Sequence, residues 1–415
     1  MSQICPENGG MHFLRHSKLT AITSTHAVYL QQFTLTDKHY FNQMKPILRA
    51  MKYSGILPIT IPKSGTPTFR VLSLVMAYSV CIHIWVLIMA YFNACDILLK
   101  LLERRGDFLT HIFSALYMNA LVFSGCLPVL MWLDCHKFVT YMDEWIRFQV
   151  LFLRVTGDDL SLSLKRQCFV YSLYVSFMTV VALGLNIHEQ YFPLWRMPIF
   201  YIMLLQLNLL STFRGVTFSA LKITSCTLAR RFKRCMTERV SAQEVEGYRI
   251  LWLRLSHLVL QTGEAMGKVW ALLSIIFISI QTLSLYGCLS NLVGKQGDVS
   301  KAVGMGLGSG FGLISVYIWC NEAQNIEQCV RSEVQESLQT IRLQLHSRAV
   351  NAEVNAFLQT ISLYPPVISV LGFKDINRGL FRSIIATLLT YLIVILQFDT
   401  GRHSKSCDLS TTRSV

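Results

Sequence analysis

Charge is scarce in this sequence. Asp, Glu, Lys and Arg make up 15% of its 415 residues, against roughly a quarter in a soluble globular chain. Mean hydropathy is +0.42, which argues against an ordinary cytosolic enzyme. Disorder is excluded by the 52% of hydrophobic residues, since disordered chains are poor in apolar side chains. Catalytic patterns are missing as well: there is no H-E-x-x-H, no G-x-S-x-G and no P-loop. The 12 cysteines form no C-x-x-C and no zinc spacing. Cys81, Cys126, Cys168 and Cys288 lie in apolar runs, where a thiol behaves as a small hydrophobe. No metal and no cofactor is expected. The two halves of the chain do not repeat one another, which weakens an inverted-repeat transporter. There is no N-x-S/T acceptor, and the first 50 residues lack the apolar core of a signal peptide. The first spanning helix is therefore expected to act as the targeting signal.

What is present is a series of long runs free of charge or, in two cases, broken only by a single arginine, Arg214 or Arg382. A helix needs about 20 apolar residues to cross the hydrocarbon layer, and seven runs qualify: 71–93, 108–133, 167–187, 197–220, 269–290, 302–320 and 379–398. The stretch 354–373 is also uncharged until Lys374, but Pro365–Pro366 breaks helical hydrogen bonding. It is expected to form a buried or interfacial turn. The fold expected is all-α, a bundle of seven transmembrane helices.

The net charge of +14 would suggest nucleic acid in a soluble protein. Its distribution points to the membrane instead. The segments 1–70, 134–166, 221–268 and 321–378 carry 27 Lys and Arg; the connections on the other side, with the tail after Phe398, carry nine. Basic loops stay on the cytoplasmic side, so the N-terminus is expected inside and the C-terminus outside. A rhodopsin-like receptor has the opposite orientation, and its D-R-Y and N-P-x-x-Y motifs are missing.

Several features suggest specific roles. Val245, Tyr248, Leu251, Trp252, Leu255 and Leu258 recur at helical steps in 221–268, and Val330, Val334, Leu338 and Ile341 do so in 321–350. Both patterns predict helices that leave the membrane and pack in a cytosolic collar. Gly304 to Gly312 is glycine-rich but opens a span, so close helix packing is expected, not phosphate binding. Arg214 and Arg382 are ionisable groups inside spans. Each lies near the expected cytoplasmic end, where Arg can snorkel; a gating or ligand role for either is the alternative.

The last span ends Thr390-Tyr391-Leu392-Ile393-Val394-Ile395-Leu396-Gln397-Phe398. This T-Y, five aliphatics, Q-F ending resembles the signature of insect gustatory receptors. Seven spans, an internal N-terminus and a long fourth-to-fifth connection are similar to that family too. Other stretches resemble its carbon dioxide receptor lineage: Ser54-Gly55-Ile56-Leu57-Pro58-Ile59; Arg154-Val155-Thr156-Gly157 with Leu160; Phe192-Pro193-Leu194-Trp195; the run from Tyr248 to Ser256; Ser284-Leu285-Tyr286-Gly287; and Asn377-Arg378-Gly379-Leu380-Phe381. Sugar and bitter receptors share the terminal signature and stay open.

The resemblance implies a ligand-gated, non-selective cation channel in the plasma membrane, a homotetramer or a heterotetramer with paralogous subunits, whose seventh helices surround a pore. With the bounds set by the uncharged runs and the Lys and Arg distribution, the expected division is a cytoplasmic segment 1–70, spans one to six in 71–320 with the extension 221–268, an anchor segment 321–378, a last span 379–398 that the resemblance makes the pore helix, and an outer tail 399–415. Val394, Gln397 and Phe398 would line and gate the pore; Thr390 and Tyr391 would brace the helix. A small-molecule pocket would lie among the outer halves of spans two to six. Its candidates are Phe113, Tyr117, Phe200, Tyr201 and Tyr286, with His188 and Arg196 at the mouth. Membrane lipid is the other implied partner, and a modulatory subunit without its own pore is the alternative.

Overall fold

The computed structural model describes residues 40–62, 66–103, 108–189, 197–238, 240–293, 299–343, 347–370, 372 and 374–411. They form α1 (Tyr40–Tyr53), α2 (Leu74–Glu103), α3 (Phe108–Leu133), α4 (Cys135–Thr156), α5 (Lys165–Glu189), α6 (Met197–Glu238), α7 (Ala242–Val293) and α8 (Val299–Gln328). A π-helical turn, Cys329–Glu333, leads into α9 (Val334–Leu343), α10 (Arg348–Leu363) and α11 (Arg378–Thr411). A two-residue hairpin, β1 (Ser369–Val370) with β2 (Lys374–Asp375), precedes α11.

The seven expected spans fall in α2, α3, α5, α6, α7, α8 and α11. Among the described residues, Leu74–Leu99, Ala242–Leu292, Ala302–Arg342 and Arg378–Gln397 are long and apolar enough by composition to cross a membrane. Helices α3, α5 and α6 have 26, 25 and 42 residues, also beyond the required length. The outward faces of α2 and α5 are apolar and unburied, with Leu74, Trp85, Tyr91, Phe169 and Val180 among the exposed residues. Lipid is the solvent such faces fit.

Most of the largest fully buried side chains among the described residues lie beyond the spans, in a helical collar. There α1, α4, α9 and α10 surround the extensions of α6, α7 and α8. Trp145, Trp252, Tyr40, Tyr141, Phe138, Phe152, Phe232 and Phe357 are fully buried in one continuous core. Tyr40 stacks on Trp145 with ring centroids 4.2 Å apart, and Phe357 meets both Phe232 and Trp252 edge-on. The periodic face of α7 is buried throughout, from Val245 at 0% to Tyr248 at 5%. Val330, Val334, Leu338 and Ile341 are buried likewise. The helices predicted outside the membrane therefore form, and their apolar faces supply the collar's core.

Local chemistry fixes these boundaries. Ser241 and Glu244 form a reciprocal capping box at the start of α7: Ser241 Oγ accepts from Glu244 N–H at 3.2 Å, and Glu244 Oε2 accepts from Ser241 N–H at 3.3 Å. Gly157, at φ 72°, closes α4 and donates its N–H to the Leu153 carbonyl at 2.8 Å. Trp252 Nε1 donates to the Val330 carbonyl at 2.7 Å, so α7 grips the π-helical turn where the regular ladder is interrupted.

Two segments extend further than the sequence suggests. The stretch 354–373 opens as helix, because α10 runs to Leu363 and buries Val354, Phe357 and Ile361; the prolines stop it only at its end, and the hairpin follows. Helix α11 continues to Thr411, past the expected end at 398. The added residues contain no proline to stop it.

Candidate functional site

Asn377 caps α11, its Oδ1 accepting the Leu380 N–H at 2.9 Å. From there the helix stands largely apart from the rest of the chain. Only 6% of its apolar stretch is buried, against 33% in α7 and 39% in α8. Ile384 and Leu388 pack inward. Arg382, Leu389 and Ile393 stand exposed directly opposite, and between the two faces one line presents Ser383, Thr387, Thr390, Val394 and Gln397, all exposed.

Those five residues recur at steps of four, three, four and three. That spacing forms one seam along a helix, of the kind that faces a common axis when helices assemble. The seam is polar over most of its length, yet its hydroxyls are paired within the helix. Ser383 Oγ donates to the Gly379 carbonyl at 3.1 Å, Thr387 Oγ1 to Ser383 at 2.9 Å and Thr390 Oγ1 to Ala386 at 2.9 Å. Such i−4 bonds let a polar face exist in a low-dielectric setting without a partner helix.

Thr390, Val394 and Gln397 thus share one line. Tyr391 is 54% exposed beside them. The Phe398 side chain lies outside the described residues, and Arg382 is exposed on the same helix.

The proposed outer pocket is described in part. Tyr286 is fully buried in α7, and Tyr201 on α6 is 47% exposed. The side chains of Phe113, Tyr117, Phe200 and His188 lie outside the described residues, as does Arg196 altogether.

The glycine-rich segment behaves as a packing device on one side only. A side chain at Gly312 would strike the Gln281 amide, and one at Gly306 would meet Cys288 Sγ at 3.3 Å. Gly308 and Gly310 face open space. Glycine at position 312 lets the long Gln281 side chain lie flat against α8.

Arg214 does not snorkel. It is 3% exposed, its guanidinium carbon lies 3.1 Å from the centre of the Trp319 ring, and it lines a cavity with Gln281, Trp319 and Cys320. Sequence reading singled out Arg214 but missed Trp319 and Gln281. They come from other helices, and no spacing rule connects them to position 214.

Helix α11 is tethered to α8 near the same level. Arg378 Nε and Nη2 donate to Asn321 Oδ1 at 3.0 and 2.8 Å, Nη2 also reaches Asn325 Oδ1 at 3.3 Å, and Tyr317 meets Phe381 edge-on. A shift of α8 would therefore reach the first turns of α11.

A family model described as 7tm Chemosensory receptor matches residues 44–401. Gustatory and odorant receptor 24 of Anopheles gambiae is 28% identical over 86% of this chain and 78% of its own. Gustatory and odorant receptor 22 of the same mosquito is 27% identical over 88% and 80%, and gustatory and odorant receptor 21a of Drosophila melanogaster is 24% identical over 87% and 82%. In fold, the chain is similar to the insect olfactory receptor OR5 from Machilis hrabei, with a TM-score of 0.60 and 14% identity over 86% of this chain and 97% of that one. The same receptor in complex with eugenol matches with a TM-score of 0.59. These relatives are receptors, not enzymes. With the family match spanning nearly its whole length, this seven-helix membrane protein belongs to the 7tm chemosensory receptor family.

Proposed function

We propose that the chain is a subunit of a ligand-gated, non-selective cation channel whose pore is lined by α11. The observation that carries this reading is the seam Ser383–Thr387–Thr390–Val394–Gln397 on a helix left almost bare by its own chain. Four such helices about one axis would cover one another's exposed faces. Val394 and Phe398 would then close the pore by dewetting, and the Gln397 amides would admit hydrated cations when it widens. Thr390 and Tyr391 would brace α11 against neighbouring subunits. The assembly is a homotetramer or a heterotetramer with paralogous subunits.

The 27-to-nine distribution of Lys and Arg supports a plasma-membrane orientation with the N-terminus and collar in the cytoplasm. In that frame 1–70, 221–268 and 321–378 are cytoplasmic, 71–320 holds spans one to six, 379–398 is the pore helix and 399–415 is extracellular. A ligand pocket opens outward among spans two to six, near Phe113, Tyr117, Phe200, Tyr201 and Tyr286, with His188 and Arg196 at its mouth.

Carbon dioxide is the stimulus best supported, by the likeness of the stretches 54–59, 154–160, 248–256 and 377–381 to that lineage. Sugars and bitter compounds are the competing ligands. The test is whole-cell current in cells expressing the chain alone and beside a related subunit, challenged with carbon dioxide, bicarbonate, sugars and bitter compounds. A current to carbon dioxide supports the full reading; a current only to sugars or bitter compounds keeps the channel and replaces the ligand. Activity of a partner subunit that is indifferent to Gln397 would make this chain a modulatory subunit.

A further inference from the structure

Arg214 lies in the interior of the bundle, 3% exposed. Among the described residues no carboxylate comes within ion-pair distance of it, and its Nε and Nη2 are buried without a hydrogen-bond partner. Those two nitrogens lie on one side of the guanidinium and form the fork that grips a planar oxyanion through two parallel bonds. The opposite demand comes from Gln281. It is 3% exposed, lines the same cavity, and its Oε1 is buried without a donor.

The remainder of the lining is apolar or already paired. Ser274 Oγ donates to the Trp270 carbonyl at 2.8 Å, and Phe218, Phe277, Leu313 and Val316 close the walls. The free space is about 30 Å³, enough for an ion of three or four heavy atoms or about two waters. A guanidinium in an apolar chamber is costly unless it is paired. Trp319 covers one face of Arg214 and leaves its edge for a ligand.

We propose that this cavity is a binding site for a small carboxylate-type oxyanion, held by Nε and Nη2 of Arg214 with Gln281 completing its hydrogen bonds. Formate and bicarbonate have the right size and planarity. Bicarbonate adds a hydroxyl that can donate to Gln281 Oε1. The site is separate from the proposed outer pocket and does not depend on the identity of the ligand there. Leu380, Ile384 and Leu388 of α11 form one of its walls, so an occupied cavity braces α6 and α7 against that helix.

The test is the thermal unfolding of the purified full-length receptor in sodium formate or bicarbonate against sodium chloride, at equal ionic strength and pH. The midpoint is expected to rise by about 2 °C or more at saturating anion, with no rise in Arg214→Lys, which keeps the charge and loses the fork. If that variant does not fold, Ser274→Leu fills the cavity and should abolish the rise, while Gln281→Leu should weaken apparent affinity several-fold. A midpoint no higher in formate and bicarbonate than in chloride, or an equal rise in Ser274→Leu, would overturn the proposal and leave water as the occupant.

Discussion

The guanidinium of Arg378 grips Asn321 through two nitrogens, at 3.0 and 2.8 Å, and so ties the first turn of α11 to the end of α8. It is a direct polar tie between the bundle and the candidate pore helix. Exposed hydrogen bonds of this kind are worth about 0.5–1 kcal/mol. Arg378→Ala should therefore shift the ligand concentration for half-maximal current by about two- to five-fold, with surface protein unchanged. Asn321→Ala should shift it in the same direction by no more than that, since Arg378 keeps its bond to Asn325, and the double variant should shift it no further than Arg378→Ala alone.

Gly312 and Gln281 predict a compensating pair. A Cβ at position 312 collides with the Gln281 amide, so Gly312→Ala should cost about 1–2 kcal/mol despite its better helix propensity. Gln281→Ala in the same chain should recover most of that loss. Thermal midpoints of the three purified variants check this.

In the collar, Phe357 joins α10 to Phe232 of α6 and Trp252 of α7. Phe357→Ala should cost about 3–5 kcal/mol and sharply reduce surface expression. Trp252→Phe keeps most of the apolar area and forfeits the bond to the Val330 carbonyl. It should cost about 1–3 kcal/mol.

Thiol reactivity offers a pH-dependent check on the collar. The neighbouring Cys329 thiol holds the Cys226 pKa below the usual thiol range, whereas burial pushes Cys135 up to about 12. A lowered pKa means more thiolate near neutral pH, and the thiolate is the reactive form. Iodoacetamide should therefore modify Cys226 well before Cys135, with a rate that rises as pH passes the Cys226 pKa. Cys329→Ala should raise that pKa and slow the reaction, as read by mass spectrometry of the labelled peptides.

Much of this architecture is legible in the sequence because lipid and collar impose different patterns. Continuous apolar runs mark α2, α3 and α8, and the three-to-four spacing from Val245 to Leu258 gives the buried face of α7 directly. Several stretches that carry the family resemblance turn out to be joints. Gly55 takes φ 77° and its carbonyl accepts from Trp132 Nε1 at 3.2 Å, Gly157 ends α4, and Asn377 caps α11.

The site is less legible. Thr390, Val394 and Gln397 fall on one face because helical spacing alone places them there. Arg214, Trp319 and Gln281 meet only through tertiary packing of α6, α8 and α7, and no local signal joins them. The hairpin at 369–375 is equally silent in the sequence. It is held by close approach: a Cβ on Gly263 would lie 2.6 Å from the Ser369 carbonyl oxygen, so glycine there admits the hairpin against α7.

The central claim is that the seam of α11 faces permeating ions. It is tested most directly by ion permeability in cells expressing the chain, alone or beside a related subunit, with Gln397 replaced by Glu and by Ala. Reversal potentials under bi-ionic conditions should move toward divalent cations with Gln397→Glu and change again with Gln397→Ala, while Ile384→Val, on the inward face, leaves them unaltered. Permeability ratios that ignore both Gln397 variants and a Val394→Ser variant, with ligand-evoked current and surface protein preserved, would contradict the account and place the pore elsewhere.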